Sequence, residues 1–289
     1  MICSKNKLVQ PFIKWAGGKK QLLPEIRKNL PPVIDHYYEP FVGGGAVFLN
    51  LQLPKVIIND YNAELINSYR VIKTNVDELI AILQEFKKKN CRDYYYQIRQ
   101  WDRNGTLDTK SPVERAARFI YLNKTGFNGL FRVNSRGQIN VPYGKYKNPS
   151  IFNRENLQAV SSYLNAMDVQ ILNGDYAAAL RQTHPGDFVY LDPPYASFSS
   201  DKRTFVGYTL NGFNTQEQLR LCKTFQELTQ KKVNVMLSNA SVPLISELYD
   251  SDFYNIKTVK ANRKINSKKT GRGPVDEVLI MNYHSQVTT

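Results

Sequence analysis

Residues 192–195 set a carboxylate, two imino acids and a phenol ring in succession, Asp-Pro-Pro-Tyr. Asp192 is a hydrogen-bond acceptor. Pro193 and Pro194 fix φ, push the residue before each toward extended backbone and donate no N–H. Neighbouring carbonyls therefore lose two donors and can face a ligand. Tyr195 adds a flat aromatic face. Two acceptors beside a stacking plate suit a planar ring with an exocyclic NH2, such as adenine or cytosine. The competing reading is a strand that ends in a proline turn with a capping aspartate.

The elements that must position these residues surround them. Phe188–Leu191 is a short apolar run rich in β-formers, with Gly186 before it and the prolines after it. Such a run is expected of a strand buried on both faces. It delivers 192–195 to the carboxyl edge of a sheet, where open α/β sheets bind ligands. Tyr37–Glu39, followed by Phe41-Val42-Gly43-Gly44-Gly45, reads as a strand and a glycine turn that lets backbone approach a ligand closely. The dinucleotide fingerprint needs a glycine at position 48, which is Phe48, and no GK[ST] follows, so a phosphate cradle is not expected. Residues 56–60 form another strand, ending at Asp60, fifteen positions beyond Gly45. An acid there commonly holds ribose hydroxyls. Its rival role is the N-cap of a helix over 61–72. A nucleoside whose tail is not a pyrophosphate fits this half, and S-adenosylmethionine meets that description. Trp15 lies between Lys14 and the Gly17–Gly18 turn, with Lys19 next. It can stack on a ligand ring or simply pack over the core.

The 289 residues allow one large domain, or one domain with an insertion. A net charge of +14 and 12% aromatic residues favour nucleic acid as the partner over an ordinary basic enzyme. Cys3, Cys91, Cys222 and the three histidines (His36, His184, His284) are scattered, so neither a disulfide framework nor a metal site is expected. The scattered cysteines lead to the expectation of a reducing cytoplasm; MICSKNKLVQPF lacks a signal-peptide apolar region, and no apolar run approaches the ~20 residues of a membrane span.

A helix is expected over Gln21–Leu30. Between 63 and 152 the alternation of strands and helices stops. Helical spacing recurs at Val76–Phe86 and Tyr94–Trp101, and Ser111–Glu114 is a capping box opening a further helix. Residues 123–149 then carry Lys124, Arg132, Arg136, Lys145 and Lys147 without an acid, interleaved with Phe127, Asn128, Phe131, Asn134 and Tyr143. Residues 135–138 suit a hairpin turn. Arg and Asn read base edges, while Lys and Arg meet phosphates; the alternative is a solvated basic loop. Strands resume at 169–172, which leads to Asp175, and at 233–237, which leads to Ser238-Asn239. Thr215–Gln218 resembles a second capping box. Residues 253–259 and 276–283 suit a terminal hairpin. Residues 197–213 suit a flap, and 257–272, with seven cations and no acid, suits phosphate contact or a solvated loop.

Taken in order, KWAGGK (14–19), EPFVGGGAVF (39–48), IIND (57–60), NGLFRVN (128–134), NVPYGKYKNP (140–149) and YLDPPY (190–195) resemble the Dam-type, alpha-group N6-adenine DNA methyltransferases, from about residue 11 to 283. The resemblance implies an α/β fold: a Rossmann-like, seven-stranded class I methyltransferase sheet built from 1–62 and 153–289. A mainly helical DNA target-recognition domain, 63–152, would be inserted in it. The implied methyl donor is S-adenosylmethionine, at Trp15, Lys19, Phe41, Gly43, Gly45, Asp60, Asp175 and Asp192. Asp192, Pro193, Pro194 and Tyr195 would carry the chemistry. Lys14, Phe127, Asn128, Leu130, Arg132, Asn134 and Pro142 would meet duplex DNA at GATC, with Lys145 and Lys147 on phosphates and the adenine flipped out. A monomer is expected. N4-cytosine or RNA methylation would use the same local chemistry, and a catalytically silent nucleic-acid-binding protein is the alternative of another class.

Overall fold

Strands form where β-branched and aromatic residues run together: β1 (Tyr37–Glu39), β2 (Lys55–Asp60), β3 (Asp168–Asn173), β4 (Phe188–Leu191), β5 (Asn234–Ala240), β6 (Asn255–Asn262) and β7 (Pro274–Met281). The computed structural model describes residues 5–196, 213–262 and 274–284. One sheet holds all seven strands in the order β3-β2-β1-β4-β5-β7-β6. β1 to β5 are parallel, and β7 runs antiparallel between β5 and β6. The expected seven-stranded α/β methyltransferase architecture is thus the observed one.

The sheet is buried on both faces, and side chains alternate between them with period two. Tyr37, Val56, Ile58, Phe188, Tyr190 and Met236 enter one core. Tyr38, Ile57, Val189, Leu191, Val235 and Leu237 enter the other. The second core is closed by α8 (Tyr176–Ala179), α9 (Thr215–Gln230) and α10 (Pro243–Leu248). The first is covered by α1 (Leu23–Lys28), α2 (Phe48–Leu51), α3 (Ala63–Thr74), α4 (Val76–Lys88), α5 (Arg92–Arg99), α6 (Pro112–Thr125) and α7 (Arg154–Ala166). α3 touches β2, β3 and α7 on one side and α4 and α6 on the other. The helices between β2 and β3 therefore share one continuous core with the sheet.

Several local expectations shift. Helix formation after the glycine pair starts as a 3-10 turn, Lys19–Gln21, and α1 follows with its proline in the first turn. Asn62, not Asp60, caps α3, accepting from the Leu65 N–H. α5 stops at Arg99, and Trp101 lies on a 3-10 turn, Gln100–Asp102. The capping box at Ser111 is present in full. The one expected at Thr215 is not: Asn214 caps α9 by accepting from Glu217 N–H, so Thr215 is already its first helical residue. β5 extends to Ala240, which puts Ser238 and Asn239 inside the strand. The flap over 197–213 and most of the basic stretch 257–272 lie outside the described residues. Among the described residues no helix is long and apolar enough to cross a membrane.

Candidate active site

The tetrapeptide at the end of β4 is gripped on every side. Ser238 Oγ donates to Asp192 Oδ1 at 3.1 Å and itself lies 3.0 Å from the Tyr190 hydroxyl. Gln218 Nε2 donates to the Pro194 carbonyl at 3.0 Å. The Ala196 N–H donates to Asn239 Oδ1 at 3.0 Å, and Asn239 Nδ2 in turn donates to Gln218 Oε1 at 3.1 Å. Gln218, Ser238 and Asn239 are buried, so these bonds form in a low-dielectric setting that strengthens them. Among the described residues no donor reaches the Pro193 carbonyl. The polar pair at the end of a buried strand was the sequence signal for Ser238 and Asn239. Gln218 stood only in the expected capping box.

Lys19 meets Asp192 directly, Nζ to Oδ1 at 2.7 Å, and also donates to the Gly17 carbonyl at 2.8 Å. Its ammonium sits 4.5 Å from the centre of the Tyr195 ring. Burial disfavours the Lys19 charge, yet the adjacent Asp192 carboxylate outweighs it and holds the lysine above its ordinary value. Burial likewise pushes Asp192 up, against the pull of Lys19. The two groups stabilise each other, with the Lys19 side chain buried and that of Asp192 partly exposed.

Glu39, at the end of β1, is a buried acid that the motif contained but no role was drawn for. Its Oε2 accepts from the Tyr37 hydroxyl at 2.6 Å. Burial pushes Glu39 up to about 8, against that hydrogen bond. A raised carboxyl binds its proton more tightly folded than unfolded. Its stabilisation is full below its ordinary 4.5 and is lost as pH rises toward 8. Glu39→Gln is therefore expected to melt several degrees above wild type at pH 8, with the gap closing near pH 5. Calorimetric melts at both pH values check this, and an equal gap at both contradicts a protonated Glu39.

The glycine turn and Asp60 form one unit. Gly43 N–H donates to Asp60 Oδ2 at 3.0 Å, and Asn62 N–H donates to Oδ1 at 2.9 Å. Burial pushes Asp60 up to about 6, against these backbone donors. Gly43 (φ +48°) has no room for a Cβ, which would stand 2.6 Å from Trp15 Cδ1, so the indole lies directly on the turn. Trp15 also stacks on Phe131, 5.4 Å between centroids. A Cβ on Gly45 (φ +70°) would meet the Tyr69 hydroxyl at 2.5 Å. That hydroxyl donates to the Gly43 carbonyl at 3.0 Å. These residues fit a nucleoside: a carboxylate keeps acceptor capacity beyond two N–H donors. Beside it, Tyr61 leaves a 63% exposed ring. Phe41 packs 4.9 Å from Tyr176 at the same edge. Asp175 is differently engaged. It caps α8 through Ala177 N–H and pairs with Arg220 at 2.6 Å. Among the described residues no cluster of His, Cys, Asp or Glu could hold a metal ion.

The basic segment after α6 folds as a hairpin, bridged at Gly126–Tyr143 and Val133–Ile139. Phe127, Asn128, Arg132, Pro142, Lys145 and Lys147 are exposed along it, and Leu130 is half-buried. Asn123 ties this hairpin to the Trp15 segment, accepting from Lys14 N–H at 2.9 Å and donating to the Lys14 and Gly129 carbonyls. The Lys14 ammonium lies 5.3 Å over the Tyr146 ring. Arg132 Nε donates to Asn140 Oδ1 at 2.7 Å. Asn134 works inside the turn, its Oδ1 accepting from Arg136 and Gln138 N–H. Underneath, Asp102 accepts from Ile139 N–H at 2.8 Å and pairs with buried Arg118 at 2.8 Å and with Arg103. None of Asn123, Asp102 and Arg118 had a local sequence signal.

Residues 15–265 match the family described as D12 class N6 adenine-specific DNA methyltransferase. The chain is 46% identical over 283 residues to the type II methyltransferase M1.LlaDCHI of Lactococcus lactis subsp. cremoris, covering 98% of this chain and 99% of that one. It is 42% identical over 293 residues to the type II methyltransferase M.MjaIII of Methanocaldococcus jannaschii, covering 95% and 99%. It is 36% identical over 272 residues to the DNA adenine methylase of Escherichia coli K12, covering 93% and 94%.

Proposed function

Because the chain belongs to the D12 class of N6 adenine-specific DNA methyltransferases, we propose that it methylates adenine within GATC in duplex DNA, flipping the base out to reach it. The observation that carries the chemistry is the caged Asp192 beside the Tyr195 ring. Adenine's N6 lone pair is delocalised into its ring and attacks poorly. Asp192 and the Pro193 carbonyl accept hydrogen bonds from the NH2 and localise that pair toward sp3. Lys19 opposes the burial that pushes Asp192 up, and Ser238 fixes its orientation. Bound S-adenosylmethionine supplies an electrophilic sulfonium methyl. Asp60 is suited to the donor's ribose hydroxyls and the Trp15-covered turn to its approach. Positioning and fixed charge then supply most of the catalysis. Tyr195 stacks on the flipped base, a contact worth ~1–3 kcal/mol that offsets part of a flipping cost of a few kcal/mol.

Residues 63–152 act as the target-recognition insertion. The exposed cations of its hairpin support this, as does the absence of any acid from 123 to 149. Arg132→Ala is expected to cost ~1–3 kcal/mol and relax one base position. Lys147→Ala should instead weaken binding to all sequences and lower the salt slope by about one. Fluorescence titrations over a range of salt separate the two, and matching behaviour would remove the division between reading and anchoring residues. Tritiated-methyl incorporation into a GATC duplex, against one carrying a changed first base, tests the site. Equal incorporation overturns the GATC reading.

A further inference from the structure

We infer that Glu277 is a positioning residue for methyl transfer, acting through the Tyr195 ring. The inference rests on the reading of Tyr195 as the plate under the flipped base. β7 is antiparallel to β5 and pairs Glu277 with Ala240. Its first half therefore lies at the carboxyl edge of β4 and β5, where 192–196 emerge. There Glu277 Oε2 accepts from the Tyr195 hydroxyl at 2.9 Å. A tyrosine ring turns about two bonds near its Cα. An anchor at the far hydroxyl removes that freedom and sets the plane a base must match. Burial, with Asp192 and Glu277 nearby, holds the phenol well above its ordinary value, so it stays a donor.

The carboxylate also does something a neutral acceptor does less well. A phenol donating to an anion carries more electron density on its face. Lys19 already shows that this face accepts a cation, its ammonium resting 4.5 Å from the ring centre. The base becomes positive as the methyl moves onto N6, so an electron-rich face favours the transfer step over the ground state. Glu277 belongs to the same charge group as the reacting pair, since it helps to hold both Lys19 and Asp192 up.

Single-turnover methyl transfer at saturating donor and DNA tests this. Glu277→Ala is expected to slow transfer ~10–30-fold, with KM for each substrate, read in steady state, within about threefold. Glu277→Gln, which keeps an acceptor but not the charge, should recover only part of that loss. In a Tyr195→Phe background, Glu277→Ala should remove less than about twofold more, because the bond it breaks is already gone. Thermal melts of wild type, Glu277→Ala, Tyr195→Phe and their double variant read the coupling without turnover, and Glu277→Gln is nearly isosteric should the alanine variant fold poorly. Equal losses in both backgrounds, or an alanine variant as fast as wild type, overturn the inference. A wild type that methylates DNA but shows such additivity defeats this inference alone. A wild type that methylates no adenine defeats the proposed function beneath it.

Discussion

Asp192→Ala is expected to abolish methyl transfer, a loss of at least ~10²–10³-fold in kcat, with duplex affinity held within several-fold. The carboxylate is the acceptor that localises the N6 lone pair, and no neighbouring acid can replace it from the same place. Glu39 is engaged with Tyr37, and Glu277 with Tyr195. The substitution also strands Lys19, which is 5% exposed and loses its 2.7 Å partner. A buried charge left alone costs about 3–5 kcal/mol, so the variant should melt lower as well. Pairing it with Lys19→Met separates the two effects. The double variant should regain stability and remain inactive. Tritiated-methyl transfer beside a thermal melt reads both, and activity returning with stability would mean that Asp192 is structural.

Asp102→Ala is expected to give the largest stability loss away from the sheet edge. Asp102 neutralises Arg118, 1% exposed, and takes the Ile139 N–H of the hairpin. Burial pulls Arg118 down and the aspartate opposes it, so the aspartate is what offsets the cost of burying this permanent charge. Without it, about 3–5 kcal/mol is lost and the melting temperature falls by roughly 10 °C. The hairpin also loses one of its ties to the helices, so preference for the cognate site should fall further than affinity for DNA in general. Asp102→Asn keeps an acceptor for Ile139 and should lie between. Calorimetry and competition binding check the pair; a full-strength site preference in a destabilised alanine variant would show that the cluster does not serve recognition.

The parts legible in the sequence are those that local chemistry dictates. Phe188–Leu191 could only be a doubly buried strand, and the prolines after it could only end it. Ser111 and Glu114 announce a helix start by themselves. What stayed hidden depends on contacts across the chain. Tyr195 and Glu277 are separated by 82 positions and meet only because β7 reverses direction. Lys19 pairs with Asp192, an ion pair that no spacing rule encodes. Asn134 illustrates the opposite limit. A short polar side chain can read a base or bond its own turn, and here backbone N–H groups two and four residues ahead claim it. Asn214 preceded Thr215 as the cap of α9 for the same reason: both residue types can cap, and geometry selected the earlier.

The central claim is adenine-N6 methylation by Asp192 and its surroundings, and the most direct test identifies the product. Duplex DNA containing GATC, incubated with the protein and S-adenosylmethionine, is digested to nucleosides and resolved by mass spectrometry. The account predicts N6-methyladenosine-type product from the GATC adenine, absent with Asp192→Ala. N4-methylcytosine in its place, or methylated adenine undiminished in the variant, would contradict it.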